Sequence, residues 1–335
     1  MKHVAIDLGS RESQICVREA DGRIVEEGKY PTKKLPAMMA VWEPRRIVME
    51  TSAETFLLAD AAKQASHEVR IVAATLVRSL GVGARGVKND QRDARALSEA
   101  SCRIDLGSVH VPSRASRELK SICGSRELLV ATRTMLINNV RGWLRTQLWR
   151  VRSGATSSFP ERVRAHAANA GLPDHVERQL RVIENVSTEI RAADAQVRAL
   201  AKTDTVCVSL MTVPGVGPIT AARFRAAIDD VTRFGSAHAV QSYLGLTPGE
   251  SSSSLRERRT SITKAGAPAT RMMLIQSAWS AYRTQPNEPM VRWARKIAER
   301  RGIQIAIVAL ARKLAGILFA IWRDGSTYRS ERSAT

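Results

Sequence analysis

MKHVAIDLGSRESQICVREADGRIVEEGK, residues 1–29, decides the fold class of the first third of the chain. Residues 3–8 (HVAIDL) and 13–18 (SQICVR) are rich in branched apolar side chains and are separated by Gly9 to Glu12. Asp21-Gly22 then introduces residues 23–29 (RIVEEGK). Apolar runs punctuated by glycine and aspartate predict two or three antiparallel strands joined by hairpins. Further along, RIVM at 46–49 reads as a short strand, Ala53 to about Ala65 carries helical periodicity, and VRIVA at 69–73 reads as another strand. Strands alternating with helices imply a mixed α/β layer fold, assigned to residues 1–115.

From Ser116 the pattern changes. Leu119, Ile122, Leu129, Leu136, Val140 and Trp143 recur at helical spacing, which predicts one long helix reaching about Arg150. SGATSSFP at 153–160 breaks it. A second run carries Val176, Ile183, Val186, Ile190, Ala193, Val197 and Leu200 close to a heptad seam, so 116–204 is expected to be a helical, coiled-coil-like region. Its partner could be the preceding helix or another copy of the chain. Residues 205–330 read as a mainly helical third region, interrupted by a Ser-, Gly- and Arg-rich loop at 245–266. The apolar stretch 303–322 comes closest to a membrane span, but Gln304, Arg312 and Lys313 interrupt it, so a core helix is expected and no membrane partner.

Charge narrows the partner. Lys and Arg total 52 against 32 acidic residues, a net charge of +20 over 335 residues. So basic a chain calls for a polyanion, and nucleic acid is the usual one. Aromatic residues make up only 4%, which argues against a general single-strand binder built on stacked bases. Cys16, Cys102, Cys123 and Cys207 form no CxxC pair and have no histidine at zinc spacing. They read as reduced thiols of a cytoplasmic protein, and the start MKHVAIDLGS does not look like a signal peptide.

Four acids stand where strands end or helices begin. Asp7 ends the first strand and Glu50 ends RIVM. Asp90 and Asp93 share one face of a helical run, KNDQRDARALSEA. Such a set could converge on two hard cations, which favour oxygen ligands and stabilise both the attacking and leaving oxygens of a phosphodiester. The plainer reading makes Asp90 and Asp93 solvated partners of Arg92 and Arg95. IDLGS at 6–10 and again at 104–108 resembles a phosphate loop of actin-like ATPases, but a strand-rich domain after the repeat is missing. GVGARG at 81–86 fits GxGxxG in letter only and is expected to be a loop delivering Asp90.

Basic segments supply candidate nucleic-acid contacts. VPGVGP at 213–218, followed by an Ala-rich helix, looks like a helix-hairpin-helix element in which Gly215 and Gly217 let the backbone approach a phosphate. Four serines at 251–254 stand among Arg256, Arg258, Arg259 and Lys264, where a serine could attack phosphorus while cations stabilise the phosphoryl oxygens. Arg141, Arg145, Arg150 and Arg152 interleave with Trp143 and Trp149 as a further basic face, although the tryptophans could equally be core.

Taken in order, Asp7, Glu50, KNDQRDA (88–94), VPGVGPITA (213–221), LGLTPGESSSS (244–254) and ITKAG (262–266) resemble the IS110/IS1111 insertion-sequence transposases, from about residue 3 to 323. The resemblance implies a RuvC-like, RNase H-type domain with a DEDD tetrad at Asp7, Glu50, Asp90 and Asp93. It also implies a coiled-coil insertion and a C-terminal transposase domain with a catalytic serine. That serine falls on Ser253, with Ser252 as runner-up because the glycine normally following is replaced by Ser254-Leu255. By the same resemblance the tetrad holds Mg²⁺, with Mn²⁺ as a substitute, and the serine forms a phosphoserine–DNA intermediate. The implied partners are double-stranded DNA at the element junction and target, a structured bridge RNA, and further copies of the chain, from dimer to tetramer. The implied setting is a bacterial cytoplasm, at the nucleoid while acting. The competing readings are a RuvC-like structure-specific nuclease without covalent intermediate and a non-catalytic nucleic-acid-binding protein.

Overall fold

In the computed structural model the described residues are 1–79, 90–253 and 256–330, with only the backbone described at 77–79, 250–253 and 256–259. Two compact units result, Met1–Pro112 and Ser113–Thr335.

The first unit is built on one five-stranded sheet. β1 (His3–Asp7), β2 (Glu12–Arg18) and β3 (Ile24–Pro31) form the expected antiparallel meander. After α1 (Leu35–Val41) the chain enters β4 (Arg46–Glu50), parallel to β1. α2 (Thr55–Gln64) then crosses to β5 (Glu68–Val72), parallel to β4. The strand order is β3-β2-β1-β4-β5. α3 (Ala74–Ser79) and α4 (Asp90–Arg103) follow. The GVGARG loop lies outside the described residues.

Alternation along the strands separates two cores. Val4, Ile6, Ile47, Met49 and Ile71 face one side and pack with Leu35 and Met39 of α1 and Leu58, Ala59 and Ala62 of α2. Ala5, Val48 and Val72 face the other side and pack with Leu97 of α4. The outer edge of β5 is covered by the chain leaving α4. Val109 N–H donates to Ile71 C=O at 2.7 Å, and Ser108 Oγ accepts from Ile71 N–H at 3.0 Å. That contact satisfies an edge otherwise open to another strand.

The second unit begins with α5 (Arg114–Thr146), one long helix as the spacing predicts. Its cap is Ser113, whose Oγ accepts from Ser116 N–H at 3.2 Å. α6 (Phe159–His166) was not foreseen: Pro160 reads as a breaker, yet here it sits in the first turn, where its missing N–H costs nothing. α7 (Asp174–Thr203) returns antiparallel to α5, with Val176, Leu180 and Ile183 against Ile137, Val140 and Leu144. Towards the other end of the hairpin, Arg126 Nε bonds Asp194 Oδ1 at 2.7 Å. Val176 and Ile183 of the heptad seam thus pack within the chain, against α5.

α8 (Thr205–Leu210), α9 (Pro218–Ile228), α10 (Ala237–Tyr243), α11 (Pro268–Thr284), α12 (Pro289–Arg301) and α13 (Ile303–Asp324) complete the helices. They share one core with Cys123 of α5 and Val197 and Ala201 of α7. α13 is long and apolar enough to cross a membrane by length and composition, but it is the central helix of this core. Ala306, Ile307, Leu310, Ala311, Leu314, Ala315, Leu318 and Phe319 are all buried on its packed side. The expected loop at 245–266 is largely a hairpin of β6 (Pro248–Ser253) and β7 (Arg256–Ile262). Pattern reading missed it because serine and arginine leave almost no apolar alternation to detect.

Candidate active site

The ends of β1 and β4 bring the first two acids together. Ile6 pairs with Met49 in a parallel register, so Asp7 and Glu50 occupy the next positions on neighbouring strands. Asp7 shares the sheet face of Ala5, and Glu50 that of Val48, which is the α4 side. Both are half-buried. The turn after Asp7 tolerates no side chain at Gly9, where a Cβ would stand 2.2 Å from Glu12 O. Thr32 Oγ donates to Gly9 C=O at 2.6 Å and closes this corner. The end of β4 is held in the same manner: Thr55 Oγ donates to Glu50 C=O at 2.6 Å, and Thr51 N–H donates to Val72 C=O at 3.1 Å.

α4 runs antiparallel to β1 over this face. Ser101 Oγ meets His3 Nδ1 at 2.9 Å, at the start of the strand. Burial, reinforced by the Arg46 cation, lowers the pKa of that imidazole. From Ser101 back to Asp93 is a rise of about 12 Å along the helix. From His3 to Asp7 is about 13 Å along the strand. Asp93 is therefore level with Asp7, and Asp90 lies about one turn beyond. Asp93 is half-buried and Asp90 exposed. The helix is tied to the sheet by Arg95, whose Nε donates to Glu27 Oε1 of β3 at 2.6 Å. That guanidinium holds the Glu27 carboxyl below its ordinary range. Arg95 is thus engaged by β3. Among the described residues no three His, Cys, Asp or Glu side chains are gathered closely enough to hold a metal. Asp7 and Glu50 share this corner of the sheet, and Asp93 stands level with Asp7 on the helix above it.

In the second unit, Ser253 pairs in register with Arg256, Ser252 with Glu257 and Ser251 with Arg258. Arg259 pairs with Glu250. Ser252 and Ser253 hold successive registers of the ribbon. Lys264, just past β7, has φ +56, and its N–H donates to Gly245 C=O at 3.2 Å.

VPGVGP forms the turn between α8 and α9, with Gly217 as the cap residue of α9. Gly215 has φ +83, and a Cβ there would stand 2.4 Å from Ser277 O of α11. Its glycine is explained by packing inside the unit. Gly217 has open space where its Cβ would be. Arg141 and Arg145 are exposed at the end of α5, with the Arg141 guanidinium 5.4 Å from the Phe159 ring. Leu148 beside them gave no signal in the sequence, because an exposed apolar residue outside any periodic run carries no pattern.

Comparison with known proteins adds to this geometry. Residues 207–291 match the transposase family IS116/IS110/IS902, and residues 4–148 match a transposase family model of the DEDD type of IS110. The transposase for insertion sequence element IS1111A of Coxiella burnetii is 31% identical over 249 residues, covering 72% of this chain and 68% of the relative. The chain belongs to the IS110 family of transposases. The transposase for insertion sequence element IS1328 of Yersinia enterocolitica is similar over nearly full length, 22% identical across 97% of this chain and 98% of its own. The transposase is therefore an enzyme of DNA transposition. The match over residues 4–148 contains the sheet and α4; the match over 207–291 runs from α8 through the serine hairpin to the start of α12.

Proposed function

We propose that this transposase cuts and rejoins DNA with a Mg²⁺-binding carboxylate set, Asp7, Glu50, Asp90 and Asp93, and with Ser253 as nucleophile. The observation that carries the first half is the corner just described: two acids on adjacent parallel strand ends, both on the α4 side, with Asp93 level with them. A β3-β2-β1-β4-β5 sheet of this mixed direction supports an RNase H-like, RuvC-like reading of residues 1–115. Oxygen donors alone, with no sulfur or imidazole among them, suit a hard cation. When bound, Mg²⁺ or its substitute Mn²⁺ supplies positive charge against the scissile phosphate.

The chain's own residues do the rest. Ser253 Oγ attacks the scissile phosphorus, a serine ester of phosphate forms, and the bond to the leaving sugar oxygen breaks, that oxygen taking up a proton. Reversal by a hydroxyl of the other strand rejoins DNA and frees the serine. Arg256, Arg258, Arg259 and Lys264 are assigned to the phosphates flanking it. Ser252, one register away, is the alternative nucleophile. The helical region 116–204 and the transposase region 205–330, with its helix-hairpin-helix turn at Gly215 and Gly217, position the nucleic acid. We further assign a bridge RNA as guide, on the strength of the +20 charge and the family resemblance. A homo-oligomer, dimer to tetramer, acts at cytoplasmic DNA.

The test is covalent trapping. The protein, its element's RNA, Mg²⁺ and end-labelled junction DNA are incubated and run on a denaturing gel. The expected result is a labelled protein–DNA adduct, lost in Ser253→Ala. An adduct surviving that change moves the assignment to Ser252. Cleavage without any adduct would overturn the serine mechanism in favour of a water-attacking nuclease.

A further inference from the structure

One cavity of the second unit has no part in the chemistry above. It opens where α5 stops, has a volume of about 820 Å³, and has Leu144, Trp149 and Phe159 along its apolar side. Arg141, Arg145, Arg150 and Arg152 line the same cavity.

The chain holds this shape against its local preferences. Leu148 has φ +57, a left-handed conformation that residues with a Cβ seldom adopt, and it is 92% exposed. The turn at Leu148 brings the following residues back over the helix end, and Trp149 N–H donates to Leu144 C=O at 2.9 Å. Trp149 is then fixed edge-on by Trp143, at 5.8 Å between ring centres, and by His166 at 5.5 Å. The indole is pre-positioned while its apolar neighbour Leu148 is left in solvent.

The charges are as uneven as the backbone. Some arginines of the neighbouring helices are matched, Arg126 to Asp194 at 2.7 Å and Arg164 of α6 to Glu177 at 2.7 Å. The four arginines of the cavity are exposed, and among the described residues none of them pairs with a carboxylate. Like charges gathered around one opening repel until a polyanion enters. Guanidinium forks suit phosphate oxygens, and an indole beside them suits the face of a base. A duplex keeps its bases stacked inside, whereas a single-stranded loop can turn one out.

We propose that this cavity is a receptor for an unstacked nucleotide of single-stranded nucleic acid, its base against Trp149 and Leu148 and its flanking phosphates on the four arginines. The volume falls within the range of roughly 300–1,000 Å³ typical of ligand pockets. The proposal rests on reading the chain as a nucleic-acid enzyme, but it uses none of the residues assigned to cleavage.

Fluorescence anisotropy of the full-length protein tests it, with labelled 12-nucleotide uridine and deoxythymidine oligomers as single-stranded probes and a blunt DNA duplex for comparison. Trp149→Ala should weaken single-strand binding about tenfold. Arg145→Gln with Arg150→Gln should weaken it and reduce the salt slope by about 1.4. Leu148→Asp, at a fully exposed position whose backbone conformation aspartate tolerates better, should weaken it with no change in melting temperature. Arg191→Gln with Lys202→Gln, an equal loss of charge on α7, should change it less than twofold. Equal loss on both oligomers assigns the site to any single strand, and loss on the uridine oligomer alone assigns it to RNA. The proposal is overturned if the pocket variants match the α7 control, if only duplex binding falls, or if sedimentation shows that they alter oligomeric state while single-strand binding stays intact. Failure of the cleavage reading would be seen separately, in adduct formation by Asp7 and Ser253 variants.

Discussion

Asp7 and Glu50 stand one register beyond the paired Ile6 and Met49, at the ends of neighbouring parallel strands and on the same side of the sheet. Two acids on adjacent strand ends could hold a cation between them in oxygen ligands. Under the proposed function Asp7→Asn should therefore abolish cleavage, by at least about a hundredfold. Thermal melts provide the check. Mg²⁺ should raise the melting temperature of the wild type and not that of Asp7→Asn, and cleavage persisting in the variant would remove Asp7 from the metal assignment.

The two glycines of the α8–α9 turn should separate by substitution. Gly215→Ala places a methyl against Ser277 O and Ala281 at a positive φ, so a loss of about 2 kcal/mol or more is expected. Gly217→Ala meets nothing within 4 Å and should cost about 1 kcal/mol or less. Urea denaturation reads both. A weakened DNA affinity in Gly217→Ala at near-normal stability would identify the α9 start as a phosphate contact.

Arg95 and Glu27 give the first unit a defined acid response. The folded Glu27 pKa lies below its ordinary value near 4.5, so its contribution to stability is present above that value. The contribution is lost as pH falls through the lower folded value. Arg95→Gln should melt earlier than the wild type at pH 7, and the gap should close as pH drops below about 4.5. A gap that persists at low pH would mean that Arg95 acts by packing, not by its charge.

Thiol chemistry should follow burial. Burial pushes Cys123 up to about 11 and Cys207 up to about 12, and Cys16 is buried and raised as well. Only Cys102 is partly accessible. At pH 8 a disulfide reagent should modify at most one thiol quickly in the folded chain, and all four only in denaturant. Rapid loss of two or more thiols under native conditions would contradict this core.

Much of the first unit was legible because its signals are local. Alternation at 3–8 and 13–18, the Asp21-Gly22 turn and the RIVM strand each depend on a few adjacent residues, and all became strands or turns close to the expected bounds. The β6–β7 hairpin was not legible, since Ser251 to Ser253 and Arg256 to Arg259 carry turn and charge character but no apolar period. α6 escaped because Pro160 signals both a helix break and a helix start, and only its neighbours decide between them.

What the sequence determined by itself was the succession of strands and helices, the basic character, and the order of motifs that places the chain among IS110-type transposases. Each of these is carried by residues near one another or by simple composition. Tertiary structure alone decided which faces meet. Asp93 reaches the level of Asp7 because α4 is laid antiparallel to β1 by contacts 98 residues apart, His3 with Ser101. The α7 seam packs on α5 because the hairpin keeps that partner at high effective concentration. The cavity beside Leu148 exists because a backbone turn against local preference is held by Trp143, Trp149 and His166, a packing cluster that no period in the sequence encodes.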